Sequence, residues 1–196
     1  GNHDHANTFE ALRPLMKAAG IEFAGRVRAT AQGGVHTFTA KSTGEQVVVV
    51  LLPFLSRRYA YGAEELVTGS PSENAGHYDE AMRTVLRELC SAFQPGAVNL
   101  VMAHLTCTGG VMGGGEREAQ SIFEYHVPAT AFPIETHYVA LGHLHRRQMM
   151  PASCPVHYSG APLAVDFGEQ ENTSVVCIVE ASPGTPASVI DVPIQA

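Results

Sequence analysis

Three short stretches of the sequence bring metal-ligating side chains together at close, fixed spacing. They are Gly1-Asn2-His3-Asp4, Val101-Met102-Ala103-His104 and Gly142-His143-Leu144-His145. Imidazoles and an amide oxygen make a mixed nitrogen and oxygen donor set, which suits Mn, Fe, Zn or Ni better than Mg alone. A glycine ahead of the donors lets the backbone turn tightly, so that the side chains after it project from the end of an element. On an extended strand His143 and His145 share one face, whereas at a turn they can diverge toward two neighbouring ions. Each stretch alone has a plainer explanation. His104 at a strand end reads as a hydrogen-bonded rim residue, and G-N-H-D reads as an Asx turn or a helix cap. The three together, in this order, point to metal-assisted chemistry.

Charge narrows the substrate question. Lys and Arg number 12 against 19 Asp and Glu, for a net charge of -7. Such a chain does not hold nucleic acid by bulk positive charge. It can still meet phosphate through bound cations, which supply positive charge locally. At 196 residues, 45% hydrophobic and 16% charged, the chain has the material for one domain with a sizeable core. No apolar run approaches the roughly 20 residues of a membrane span, since Val47–Leu55 is broken by Pro53. The start at Gly1 shows no basic segment followed by an apolar one, so no signal peptide is read there. Cys90, Cys107, Cys154 and Cys177 are widely spaced without a C-x-x-C pair, which reads as four reduced thiols in a cytoplasmic protein.

The elements that must position the three stretches follow from hydrophobic patterning. Val47–Leu52 and Val98–Ala103 are continuous β-branched and Leu runs, the mark of buried strands. The second runs into His104, and a strand over His137–Leu141 runs into Gly142-His143. His77–Phe93 predicts a helix with Ala81, Val85, Leu86 and Leu89 on one face. A helix near the start carries Phe9, Leu12, Met16 and Ala19, capped by Asn7 or Thr8 and stopped by Gly20, with Pro14 as a blemish. Ile21–Arg28 and Val35–Ala40 read as short strands. Ser56–Gly76 reads as loop with a helical turn at Ala63–Leu66, and Glu116–Tyr125 as a short helix. The tail alternates strand and turn through Val156–Ser159, Ser174–Glu180 and Ala187–Val192. Intermixed strands and helices predict an α/β layered domain.

With the motifs placed, the sequence resembles the calcineurin-like metallophosphoesterases, in the order of their third, fourth and fifth motifs. It resembles the SbcD family among them through Leu51-Leu52-Pro53, Ala103-His104-Leu105, Glu116-Arg117, the run from Tyr138 to His145, Gln148, Tyr158-Ser159-Gly160-Ala161-Pro162-Leu163 and Phe167-Gly168-Glu169. These cover nearly the whole chain. The family's upstream D-x-H and G-D-x-x-D motifs do not occur in it. The resemblance therefore implies the later part of a phosphoesterase domain over residues 1–196, without a capping domain. The implied fold is a partial four-layer αββα sandwich, with mixed sheets flanked by helices.

The resemblance implies Asn2, His104 and His143 as ligands of one divalent ion and His145 as ligand of a second, with Mn²⁺ as the activating metal. It implies His3 beside the scissile phosphate, as proton donor or charge stabiliser, with Asp4 orienting its imidazole. His5, Arg117, Arg146 and Arg147 are the candidate substrate contacts. His5 stands where relatives commonly carry Ser, and Ala161 replaces Ser in the S-G-S-P phrase. The implied activity is two-metal hydrolysis of phosphodiester bonds at DNA double-strand ends in repair and recombination, as exonuclease and endonuclease. Implied partners are DNA ends, a coiled-coil ATPase of the SbcC type and a second copy of the complete protein. Without the bridging carboxylate of the upstream motifs, this chain is expected to bind metal weakly and hydrolyse little. Two rivals remain open at this point: a metallophosphoesterase for nucleotides or phosphoproteins, and a non-catalytic module that binds the ATPase.

Overall fold

The computed structural model describes residues 1–70, 77–116 and 125–194. Three helices are present among them: α1 (Ala6–Ala18), α2 (Arg57–Thr68) and α3 (Tyr78–Cys90). The strands are β1 (Val35–Thr39), β2 (Gln46–Leu52), β3 (Val98–His104), β4 (Thr106–Cys107), β5 (His126–Val127), β6 (Tyr138–Gly142), β7 (Gln148–Met150), β8 (Val156–Tyr158), β9 (Val175–Ser182) and β10 (Thr185–Pro193). Six of them form one sheet in the order β1-β2-β3-β6-β8-β7. Its four inner strands run parallel, and β1 and β7 are antiparallel edges. β4 and β5 form a small parallel pair and β9–β10 an antiparallel ribbon. The fold is α/β, a mixed sheet with flanking helices, as the intermixed pattern predicts.

Parallel inner strands need cover on both faces. On one face, Val50 and Leu52 of β2, Val101 and Ala103 of β3, Val139 and Leu141 of β6 and Tyr158 of β8 share a core with Met82, Val85, Leu86 and Leu89 of α3. Asp79 and Glu80 in the first turn of α3 and Arg87 in its last complement the helix dipole. On the other face, Val47, Val49 and Val98 form a smaller cluster with Leu51, Leu100 and Ala181 of the ribbon. The parallel register brings His104 beside Gly142. The ends of β3 and β6 thus deliver the second and third motifs to one place.

Several expectations are corrected. α1 starts at Ala6 with His5 as its N-cap residue, not Asn7 or Thr8. The His5 carbonyl accepts from the Thr8 amide at 3.0 Å, which sets the first turn earlier. Residues 21–28 are not a strand. Their side chains tie α1 instead, through Arg28–Glu10, Arg26–Asn7 and an edge-on Phe9–Phe23 contact at 5.3 Å. Most of the segment read as loop after Ser56 is α2, whose buried Ala60 and Ala63 join the core and which ends at Gly69 in the left-handed region, φ 71°. The helix expected over Glu116–Tyr125 falls largely on 117–124, outside the described residues.

Tyr158 locks the region that follows β3. Its buried hydroxyl donates to the Leu105 carbonyl at 2.8 Å and accepts from the Cys107 amide at 2.7 Å. Removing the hydroxyl leaves both backbone groups unpaired in the interior, so Tyr158→Phe is expected to cost about 1–3 kcal/mol of stability, read as a lower urea midpoint with unchanged slope.

Candidate metal centre

The ends of β2, β3 and β6 converge with the first residues of the chain. The His104 Nε2 lies 2.8 Å from the Asn2 Oδ1, a spacing that two ligands of one ion can hold when each metal–donor bond is about 2.0–2.2 Å. The His104 and His143 rings sit 5.3 Å apart, centre to centre. Phe54, just beyond β2, stacks on His143 at 5.9 Å and meets His104 edge-on at 6.3 Å. His143 is 7% exposed, and its Nε2 is buried without a hydrogen-bond partner. An orphaned imidazole nitrogen is costly unless something binds it. His143 also holds φ 104°, the non-glycine residue in the left-handed region among those described. Such a conformation costs about 1–3 kcal/mol and turns the ring back against His104.

Charge is suppressed at both rings. Burial pushes His104 down to about 4, with His143 adding to the effect. Burial likewise lowers His143, against the opposing pull of Glu116. Both are therefore neutral at pH 7, the form in which imidazole binds metal. Gly142 permits the approach, because a Cβ there would sit 2.9 Å from the His104 Nδ1. An orphaned nitrogen, a neighbouring amide oxygen and two neutral imidazoles fit a divalent ion.

His145 belongs to a second cluster with Glu116 and Glu169, whose ligand-type atoms lie within 4.8 Å of one another. Its Nδ1 is 2.5 Å from the Glu169 Oε1. Glu116 accepts the amides of Gly113, Gly114 and His145 at 2.7–2.9 Å. Burial alone would raise both carboxyls, but these amide bonds to Glu116, and the Val165 amide and His145 imidazole at Glu169, hold them below the usual carboxylate range. Neither glutamate stands out by local spacing, because Glu116 precedes His145 by 29 residues and Glu169 follows it by 24. The phrases Glu116-Arg117 and Phe167-Gly168-Glu169 were the available signal.

The remaining candidates divide. His3 is exposed and close enough to act electrostatically on His104 and His143. Asp4 is exposed beside them and acts electrostatically on His104. His5 caps α1 and lines a cleft of ≈ 630 Å³ that also touches Asn2, Asp4 and Phe54. Arg146 is exposed on the turn after His145. Arg117 lies outside the described residues. The Arg147 guanidinium, a candidate phosphate contact, is engaged within the fold. Its Nε donates to both Asp191 oxygens at 2.9 Å, and its other nitrogens reach the Gln148 and Tyr158 carbonyls and the His157 Nδ1.

The four cysteines are free thiols, three of them buried. No helix among the described residues is long and apolar enough to cross a membrane.

Comparison with known proteins gives a consistent result. The chain is 32% identical over 191 residues to the Bacillus subtilis protein named as the SbcD component of nuclease SbcCD, covering 96% of this chain and 47% of that protein. It is 32% identical over 203 residues to the protein of the same name from Rhodobacter capsulatus, covering 98% and 49%. The Escherichia coli protein of that name is 24% identical over 205 residues, covering 99% and 48%. The chain thus spans about half the length of these curated relatives. No family model matches it.

Arg147 ties β10 to β7 and β8, so Arg147→Ala is expected to destabilise the fold by about 1–3 kcal/mol. A double-mutant cycle with Asp191→Ala should show positive coupling between the two, and purely additive losses would contradict the assignment.

Proposed function

Because the chain is homologous to the SbcD-type nucleases along nearly all of its own length, we propose that it forms part of a metal-dependent nuclease hydrolysing phosphodiester bonds at DNA ends, in repair and recombination. The observation that carries this reading is the contact of the Asn2 Oδ1 with the His104 Nε2, beside the His143 ring whose Nε2 is buried and unpartnered. These residues would hold one divalent ion and His145 a second, with Mn²⁺ the expected metal. Bound ions of this kind supply Lewis-acid stabilisation of the phosphodiester and a more acidic attacking water.

The chain's own residues supply the rest. Phe54 excludes water from one side of His104 and His143 and fixes their relative tilt. His3, exposed beside them, is placed to donate a proton to the leaving oxygen or to face the charge that develops on phosphate. Arg146, solvent-facing on the same turn as His145, is the remaining described candidate for a backbone-phosphate contact. The expected partners are DNA ends, a coiled-coil ATPase like SbcC and a second copy of the nuclease, in the cytoplasm.

The D-x-H and G-D-x-x-D motifs, which the resemblance implies as the source of the carboxylate bridging both ions, do not occur in these 196 residues. Isothermal titration with Mn²⁺ is expected to show weak binding that His143→Ala or His104→Ala lowers at least about tenfold. Duplex ends should be cleaved slowly, yet in preference to a small phosphodiester. Cleavage as fast as that of a complete SbcD-type nuclease, or binding indifferent to both substitutions, would contradict the proposal.

A further inference from the structure

The Glu116, His145 and Glu169 cluster has the donor types of a metal site, but its carboxylate oxygens are already occupied. Glu116 Oε1 accepts the amides of Gly113 and His145, and its Oε2 accepts that of Gly114. Glu169 Oε2 accepts the Val165 amide at 2.7 Å, and its Oε1 faces the His145 Nδ1. Glu169 is 2% exposed while His145 keeps partial access to solvent. A carboxylate only accepts hydrogen bonds, so the His145 nitrogen facing it must carry the proton. In the neutral ring Nδ1–H is then fixed and the lone pair is left on Nε2.

We propose that Glu169 is a positioning residue for His145: it locks the ring as the Nδ1–H tautomer and presents the bare Nε2 as the ligand nitrogen, while Glu116 clamps the backbone of the same turn. The inference deepens the metal reading above and rests on it for the purpose of the lock, though not for the lock itself. In water an imidazole favours the opposite, Nε2–H, tautomer, so the lock requires a fixed acceptor at Nδ1. Carboxylates behind metal-binding histidines do this and raise the basicity of the ligand nitrogen. The local backbone is shaped for the pair. A Cβ on Gly115 would run into the Glu169 Oε1 and come within 3.1 Å of the His145 Nδ1. The glycine therefore lets the carboxylate and imidazole meet against bare backbone. Asp166 holds the turn that carries Glu169, accepting the Gly168 amide at 2.8 Å.

The test is long-range proton–nitrogen correlation NMR of ¹⁵N-labelled protein near neutral pH without metal, on wild type and Glu169→Gln, followed by Mn²⁺ calorimetry on both. The wild-type spectrum is expected to show His145 protonated at Nδ1 and bare at Nε2. Glu169→Gln should shift it toward a tautomer mixture and weaken Mn²⁺ binding about ten- to a hundredfold. A wild-type His145 protonated at Nε2, or a tautomer unchanged in Glu169→Gln, would overturn the proposal. If Glu169→Gln does not fold, the wild-type spectrum decides alone, with Gly115→Ala as the second perturbation of the pair. A purely structural glutamate would lower the melting temperature without moving the tautomer. If wild type holds the Nδ1–H tautomer but binds no Mn²⁺, the lock is supported and the metal reading fails separately.

Discussion

Two imidazoles that must stay neutral while packed against one another constrain the whole carboxyl end of the sheet. His104 and His143 lie 5.3 Å apart with burial suppressing the charge of both. Bringing them together requires parallel strands in a fixed register, so that His104 lies beside Gly142. It also requires a residue without a side chain at 142 and a left-handed turn at 143. The core formed by α3 and the inner strands makes that arrangement stiff enough to hold an unfavourable backbone angle and an unpaired nitrogen. Neither feature contributes stability by itself, and together they are what supports the proposed binding centre.

Negative and positive charge are kept apart around it. The chain carries a net charge of -7, which would repel a polyanion, yet two of the carboxylates near the histidines are engaged within the fold. Glu116 and Glu169 spend their oxygens on backbone amides and on His145. Arg147, a cation near the same turn, is neutralised by Asp191. The His104 and His143 rings carry no charge, and the exposed His3 and Asp4 lie beside them. An anionic phosphodiester is attracted to such a surface chiefly when cations occupy it.

Much of this was legible in the sequence, for physical reasons. The strands β2, β3 and β6 and the helix α3 each bury a continuous or periodic apolar set, and hydrophobic pattern reports burial directly. The candidate donors Asn2, His104 and His143 stand out in the sequence because each belongs to a characteristic phrase. α2 was not, because its buried face consists of small residues, Ala60 and Ala63, and Gly62 interrupts its pattern. Residues 21–28 look like a strand in composition but find their partners through Arg26, Arg28 and Phe23 against α1, which no local pattern specifies. Glu169 and Glu116 belong to phrases that carry the family resemblance without implying a role, since their contacts with His145 join positions 24 and 29 residues apart. Arg147 looked like a surface cation for the converse reason: its carboxylate partner lies on β10, 44 residues away.

The most direct test of the central claim is to grow crystals of the protein, soak them in Mn²⁺ and record anomalous scattering at the manganese edge. The account places a peak within bonding distance of the Asn2 Oδ1 and the imidazole nitrogens of His104 and His143, absent from His143→Ala crystals. A map with no peak there, or with manganese only on exposed carboxylates, would contradict it.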